Sequence, residues 1–293
     1  MRRVHRIVLA VALGCATAVP AAAQGPLEPV WDTVATILRT PAVPSAGYVR
    51  YNLPRRDFTV RMGDVTLAVP LAAGAWVGFA GTARQAVAMG DLVVTRTELG
   101  PVEAELLRQR LDVTGVHDHL VGEEPRLTFV HFHGEGAAAD LARRLDSALA
   151  KTGTPRPVTA AATPPVTLDT ALVFNALGQH GRAAGNVAQI SFELVAKKVR
   201  WHGDPLVPAL ALGTPVYLQL INPSRAVATG DFAVLAPQVG PVLRAMAANG
   251  IVVEALHSHL VGETPPVYFI HFWSDGRLAE VVHGLRAALD AAK

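Results

Sequence analysis

Apolar positions along the chain switch between two periods, and the whole series then starts again. Ala75 to Ala80 and Leu92 to Thr95 are apolar and partly β-branched runs that predict strands. Val102, Leu106, Leu107 and Leu111 follow at helical spacing, with Thr97 placed to cap the helix. Val113 to Val121 and Leu127 to His133 return to strand character around a Gly-Glu-Glu-Pro turn, which predicts a β-hairpin. A stripe of Leu141, Leu145 and Leu149 predicts a closing helix.

The restart is a duplication. HDHLVGEEPRLTFVHF (His117 to Phe132) returns as HSHLVGETPPVYFIHF (His257 to Phe272), with ten of sixteen positions identical after a shift of 140. The same shift aligns Gly90-Asp91 with Gly230-Asp231 and Gly100-Pro101-Val102 with Gly240-Pro241-Val242. The second copy carries its own helical stripes, Val239, Val242, Leu243 and Met246, then Leu278, Val282, Leu285 and Leu289, with Gly250 as a C-terminal cap. Earlier strands are expected near Asp57 to Ala68 and Ala188 to Val199.

Two copies are too few for a solenoid, so the expected architecture is a fused pair of similar domains. The first spans residues 27–150 and the second 167–293, joined by a Pro/Thr/Ala-rich linker over 151–166. Strand, strand, helix, strand, strand, helix in each copy predicts an α+β fold: a ferredoxin-like domain in tandem, with a mostly antiparallel sheet and helices on one face. The uncovered sheet faces could then pack together and bring both repeated phrases to one interface.

Residues 1–23 read as a signal peptide, with Arg2, Arg3 and Arg6 ahead of an apolar run from Ile7 to Val19 and Ala21-Ala22-Ala23 at the cleavage point. The run is shorter than the roughly 20 residues of a bilayer span. A secreted or periplasmic protein is expected. Cys15, the sole cysteine, is the one candidate for a lipid anchor and hence for membrane contact. Cleavage after Ala23 leaves no cysteine, so any metal site must use His and carboxylates. The formal charge of +2 falls to −1 without the three leading arginines, which gives no basic field for nucleic acid. With 51% hydrophobic residues, the chain can bury a sizeable core.

Strand alternation puts His117 and His119 on one face, with Cα atoms about 6.6 to 6.8 Å apart. A five-residue loop from Gly122 to Arg126 would pair His117 with His131 on that face; a four-residue loop would turn His131 away. In the favourable register His117, His119 and His131, and likewise His257, His259 and His271, form three-imidazole patches suited to zinc or another divalent transition metal. His133 shares the face in the first copy, where the second has Trp273. Glu123 and Glu263 are the candidate catalytic acid/base residues, or partners of an imidazole, or simply turn formers. HxHxxxE is also a cupin pattern, but here the third His follows the Glu by eight residues in the same hairpin, unlike a cupin. Asp91 and Asp231 read as turn residues, Arg55-Arg56-Asp57 as a solvated strand start, and His180, His202 and His283 as solvated or structural.

GD before an apolar strand, GPV in a helix, HxHLVGExP, FxHF and a Leu/Ala-rich closing helix together resemble the LppY/LpqO family of exported proteins. The second copy, from about Leu168 to Ala292, matches more closely than the first. The resemblance implies export and a domain of unknown function, and it supplies no activity. Two readings follow from the residues: an exported metal-binding protein of metallohydrolase type, and a non-catalytic cell-envelope module that binds a small ligand or envelope component with structural histidines. A pH-responsive structural protein is the third.

Overall fold

The computed structural model describes residues 28–159, 162–195 and 198–293; the segment expected as a signal peptide, with Cys15, lies outside the described residues. Each copy folds as a six-stranded sheet with helices on one face. In the first, β1 (Ala42–Ser45), β2 (Tyr48–Asn52), β3 (Trp76–Gly81), β4 (Ala86–Thr95), β5 (Asp112–His117) and β6 (Leu127–Gly136) lie in the order β1-β2-β3-β4-β6-β5. In the second, β7 (Arg182–Ala184), β8 (Val187–Phe192), β9 (Thr214–Leu220), β10 (Arg225–Leu235), β11 (Val252–Ser258) and β12 (Val267–Arg277) repeat that order. Every pairing in the two sheets is antiparallel. Strands β3, β4, β6 and β5 have the ferredoxin-like arrangement, with the strand that usually ends the domain moved to its front.

Helices α1 (Pro29–Leu38), α2 (Arg96–Arg108) and α3 (Ala138–Leu149) cover the first sheet, and α4 (Thr170–Leu177), α5 (Ala236–Ala248) and α6 (Leu278–Ala291) the second. The cap of α2 is Thr95, two residues before the expected Thr97, because the Glu98 carboxylate accepts the Thr95 N–H at 2.8 Å and closes a capping box. Gly250 does follow α5 in the left-handed region, at φ 69°. The helix α1 and the β1–β2 hairpin were not anticipated. The stretch expected as a strand near Asp57 to Ala68 holds only Arg61–Met62 and Val65–Thr66.

The uncovered faces meet. The segment between β2 and β3 lays Val65 and Leu67 in one apolar cluster with Val227 and Trp273 of the second copy. The equivalent segment between β8 and β9 packs Trp201, Leu210 and Leu212 with Ala80 and Met89 of the first. The Gln219 amide accepts from Ala68 N–H at 2.8 Å and donates to Thr66 carbonyl at 2.9 Å across this boundary. β6 and β12 are therefore buried on both faces, by helices on one side and the other copy on the other.

Two further expectations change. Arg55 is fully buried, not solvated: it forms paired hydrogen bonds with Asp57 and Glu98 and donates to the Val93 carbonyl. The first repeated phrase is also not a tight hairpin. β5 stops at His117 and the chain leaves the sheet until Leu127, because Glu123–Glu124 pairs with Arg61–Met62. His117 consequently pairs with Phe129, two places from the expected His131. A shift of two preserves side-chain facing, so His117 and His131 still share a face.

Candidate metal centre

The site grows from the middle of two neighbouring strands in each copy. Asp91 on β4 pairs with His131 on β6, and Asp231 on β10 with His271 on β12. Both aspartates are mid-strand, so the turn role expected for them is wrong. His131 Nδ1 lies 2.6 Å from Asp91 Oδ1, and His271 Nδ1 lies 2.5 Å from Asp231 Oδ1. The preceding glycine has a steric reason: a Cβ at Gly90 would sit 2.2 Å from the Trp76 carbonyl oxygen, and one at Gly230 would sit 2.1 Å from that of Pro215. The repeated Gly-Asp thus combines a close backbone approach with a carboxylate aimed at an imidazole.

Packing of the two faces brings all six predicted histidines into one cluster. His117 and His257 stack at 3.7 Å between centroids, His119 lies over His271 at 3.9 Å, and His131 meets His259 at 4.0 Å. Three donor groups have ligand atoms within 4.8 Å of one another and could hold a metal ion: His117, His131 and His257; His117, His119 and His271; Asp91, His131 and His259. Each crosses the boundary between the copies. The two patches expected, one per copy, lie together in a single composite cluster.

Hydrogen bonding fixes the tautomers. His131 Nδ1 donates to Asp91, and His117 Nδ1 donates to the Asp118 carbonyl at 3.2 Å, so in the neutral rings both Nε2 atoms carry lone pairs. These atoms face each other at 2.5 Å. In the second copy His271 donates to Asp231 and His257 to the Ser258 carbonyl, and their Nε2 atoms face at 2.8 Å. Facing lone pairs repel unless a proton or a metal ion lies between them. His119 Nε2 is buried with no hydrogen-bond partner among the described residues, which an imidazole held for coordination explains.

Burial, then repulsion by neighbouring imidazoles, holds His117 and His119 far below the ordinary histidine range. The same causes bring His257 down to about 4, and His259 is lowered by burial and by His131. Burial works to raise the Asp91 carboxyl, but the His131 and His259 imidazoles and the Trp76 indole outweigh it and keep Asp91 ionised. These are the protonation states a metal ligand set requires: neutral imidazole and anionic carboxylate.

The glutamates stand apart. Glu123 Oε1 accepts the Leu127 N–H at 3.1 Å and Glu263 Oε1 the Val267 N–H at 3.0 Å, and neither belongs to the three donor groups. The hydrogen bond from an imidazole that was considered for them is absent among the described residues; each ties the loop to the start of its return strand. His133 faces the other copy, with its ring 3.7 Å from Trp201. The residues missed in the sequence are Asp91 and Asp231, for which the aligned Gly-Asp repeat was the available signal, and Trp76, whose Nε1 donates to Asp91 Oδ2 at 2.9 Å.

A cavity of about 810 Å³ opens onto the cluster, with Asp91, Asp231, His119 and His259 in its lining.

No curated protein is significantly similar to the chain. Among solved structures, the fused permuted hexameric shell protein MSM0275 from the RMM microcompartment is similar at 15% identity, with 71% of this chain and 85% of that chain covered and a TM-score of 0.17. EtuB from Clostridium kluyveri is similar at 11% identity, covering 87% and 90%, with a TM-score of 0.22. One family model matches both copies, over residues 32–151 and 171–291, and the chain belongs to that family, described as Domain of Unknown Function (DUF1259).

Proposed function

We propose that this chain is an exported protein of the LppY/LpqO type that holds a divalent transition metal between its two copies and uses it in hydrolytic chemistry. The observation that carries the reading is the pair of facing Nε2 lone pairs, His117 with His131 and His257 with His271, each imidazole anchored through its Nδ1. His117, His119, His131, His257, His259 and His271 would hold the metal, with Asp91 as a carboxylate ligand or as the orienting partner of His131. Zinc fits this nitrogen-rich set, and it would supply Lewis-acid polarisation of a bound substrate. Asp231 is the group best placed to accept a proton: Oδ1 meets His271, Oδ2 has no hydrogen-bond partner among the described residues, and the residue lines the cavity.

The test is the metal content of the mature chain, Gln24 to Lys293, purified without a His tag and compared with a His257→Ala, His259→Ala variant. Stoichiometric metal that falls by more than half in the variant supports the reading. A second reading, a non-catalytic envelope module that binds a small ligand or envelope component, draws support from the commitment of Glu123 and Glu263 to backbone N–H groups. No metal after zinc and copper supplementation, with stability unchanged by chelator, would select it. Export, and anchoring through Cys15, are tested by the N-terminus and lipid content of protein recovered from the envelope fraction.

A further inference from the structure

The cavity above the cluster straddles the approximate two-fold relation between the copies, so its wall can be compared position by position. Strand pairing makes the equivalences explicit. Arg50 lies opposite Gly78 on β3 and Gln189 lies opposite Tyr217 on β9, with Gly90 and Gly230 as the common reference on the next strand. Arg50 thus corresponds to Gln189, Gly78 to Tyr217 and Trp76 to Pro215. Metal donors are identical in the two copies, whereas the wall above them has diverged.

Charge is the clearest part of that divergence. In the first copy Arg50 pairs with Val43 across the edge hairpin; in the second Gln189 pairs with Arg182. Each edge hairpin therefore contributes one arginine to the cavity wall, from exchanged positions, and Arg56, just beyond the first hairpin, lines the cavity as well. Arg50 is already oriented: its guanidinium lies 4.1 Å over the Trp76 ring and its Nε donates to Asn52 Oδ1 at 2.8 Å. Neither of its terminal nitrogens, and no nitrogen of Arg182, has a hydrogen-bond or carboxylate partner among the described residues. Among the described residues the cavity's carboxylates are Asp91 and Asp231, which lie at the cluster and are engaged with His131 and His271.

We infer that this cavity binds a small organic oxyanion, a carboxylate or a phosphoryl group, gripped between Arg50 and Arg182 with the rest of the molecule directed at the metal centre. A fixed guanidinium with both terminal nitrogens free matches the two oxygens of such a group. The volume of about 810 Å³ suits a molecule of metabolite size. Because the cavity floor is the metal site proposed above, the role of the floor rests on that reading; the arginine grip does not.

Binding of phenylphosphonate and of benzoate would be followed by calorimetry on zinc-loaded and on chelator-treated mature protein, with metal content measured on the same samples. Arg50→Gln and Arg182→Val each install the residue found at the equivalent position of the other copy, and Arg50→Lys keeps the charge without the fork. Expected is a dissociation constant at least tenfold higher for Arg50→Gln and for Arg182→Val, a smaller loss for Arg50→Lys, and unchanged metal content. Whichever probe binds more tightly distinguishes phosphoryl from carboxylate. Failure of the wild type to bind either probe, or binding indifferent to both arginines, overturns the inference even where metal is present. Arginine-dependent binding in a protein that takes up no metal would sink the metal reading and leave this one standing.

Discussion

His117 and His257 occupy equivalent places in the two copies and meet face to face, with ring centroids 3.7 Å apart. Neither copy owns its imidazoles, because each donor group borrows at least one ligand from across the boundary. Loss of His257 and His259 should therefore break two of the three groups and leave only His117, His119 and His271 together, and loss of His117 and His119 should leave only Asp91, His131 and His259, so each variant should lose more than half of the metal. Metal stoichiometry per chain in the two double variants checks this. Retention of half the metal in each would mean two independent sites.

Asp91 holds His131 through Nδ1 and is itself held by Trp76. Replacing it with Asn removes the negative charge and frees the ring to turn. Metal affinity should fall about 10- to 100-fold, as for other carboxylate partners of ligating histidines. Asp231→Asn should act on His271 in the same direction. Competition against a chelator of known affinity measures both, and an unchanged affinity for Asp91→Asn would remove it from the site.

Acid should loosen the metal-free protein. Burial lowers His133 to about 4, and burial with repulsion from His271 brings His257 to about 4. Unfolded histidine titrates near 6.5. Below that value the unfolded chain takes protons that the folded one refuses, so stability is complete above pH 6.5 and declines down to about pH 4. The decline approaches about 1.4 kcal/mol per pH unit for the more buried His133 and is smaller for His257. Urea denaturation at pH 7, 6 and 5 follows it; flat stability over this interval would contradict the burial of these rings.

Glu123 has the opposite dependence. Burial raises its carboxyl to about 8, and Oε2 has no hydrogen-bond partner among the described residues. The penalty of ionising it is absent below about pH 4.5, where the unfolded side chain is also protonated, and it grows until the folded group ionises near pH 8. Glu123→Gln keeps an acceptor for the Leu127 N–H and removes the titration. The stability of the variant relative to wild type should rise with pH at up to about 1.4 kcal/mol per unit between those limits. Parallel denaturation curves at pH 5 and pH 8 decide the matter, and a constant difference would show that Glu123 ionises normally.

Much of this is legible in the sequence. The duplication, the two long helices of each copy and the histidines as a group follow from periodicity and a shift of 140. The register of the repeated phrase did not follow, because the pairing of Glu123–Glu124 with Arg61–Met62 involves a segment some 60 residues away. Asp91 looked like a turn residue because Gly-Asp is a turn signal when read locally. Its role depends on which strand lies beside β4, a fact of topology with no local trace. Arg55 was misread for the same reason: its partners Glu98 and Val93 come from another strand and helix.

The crossed donor groups also bear on how such a chain could have arisen. A single copy carries half of the cluster, so a one-copy ancestor could complete it only by pairing with a second molecule, in a symmetric dimer with identical walls. Joining the genes end to end replaces an encounter that depends on dilution with one that occurs within a single polypeptide. It also releases the two halves from identity, so that an arginine can be placed at Arg50 on one side and at Arg182 on the other. A homodimer must carry every substitution twice; the tandem chain can make a lopsided cavity and point an asymmetric molecule in one direction.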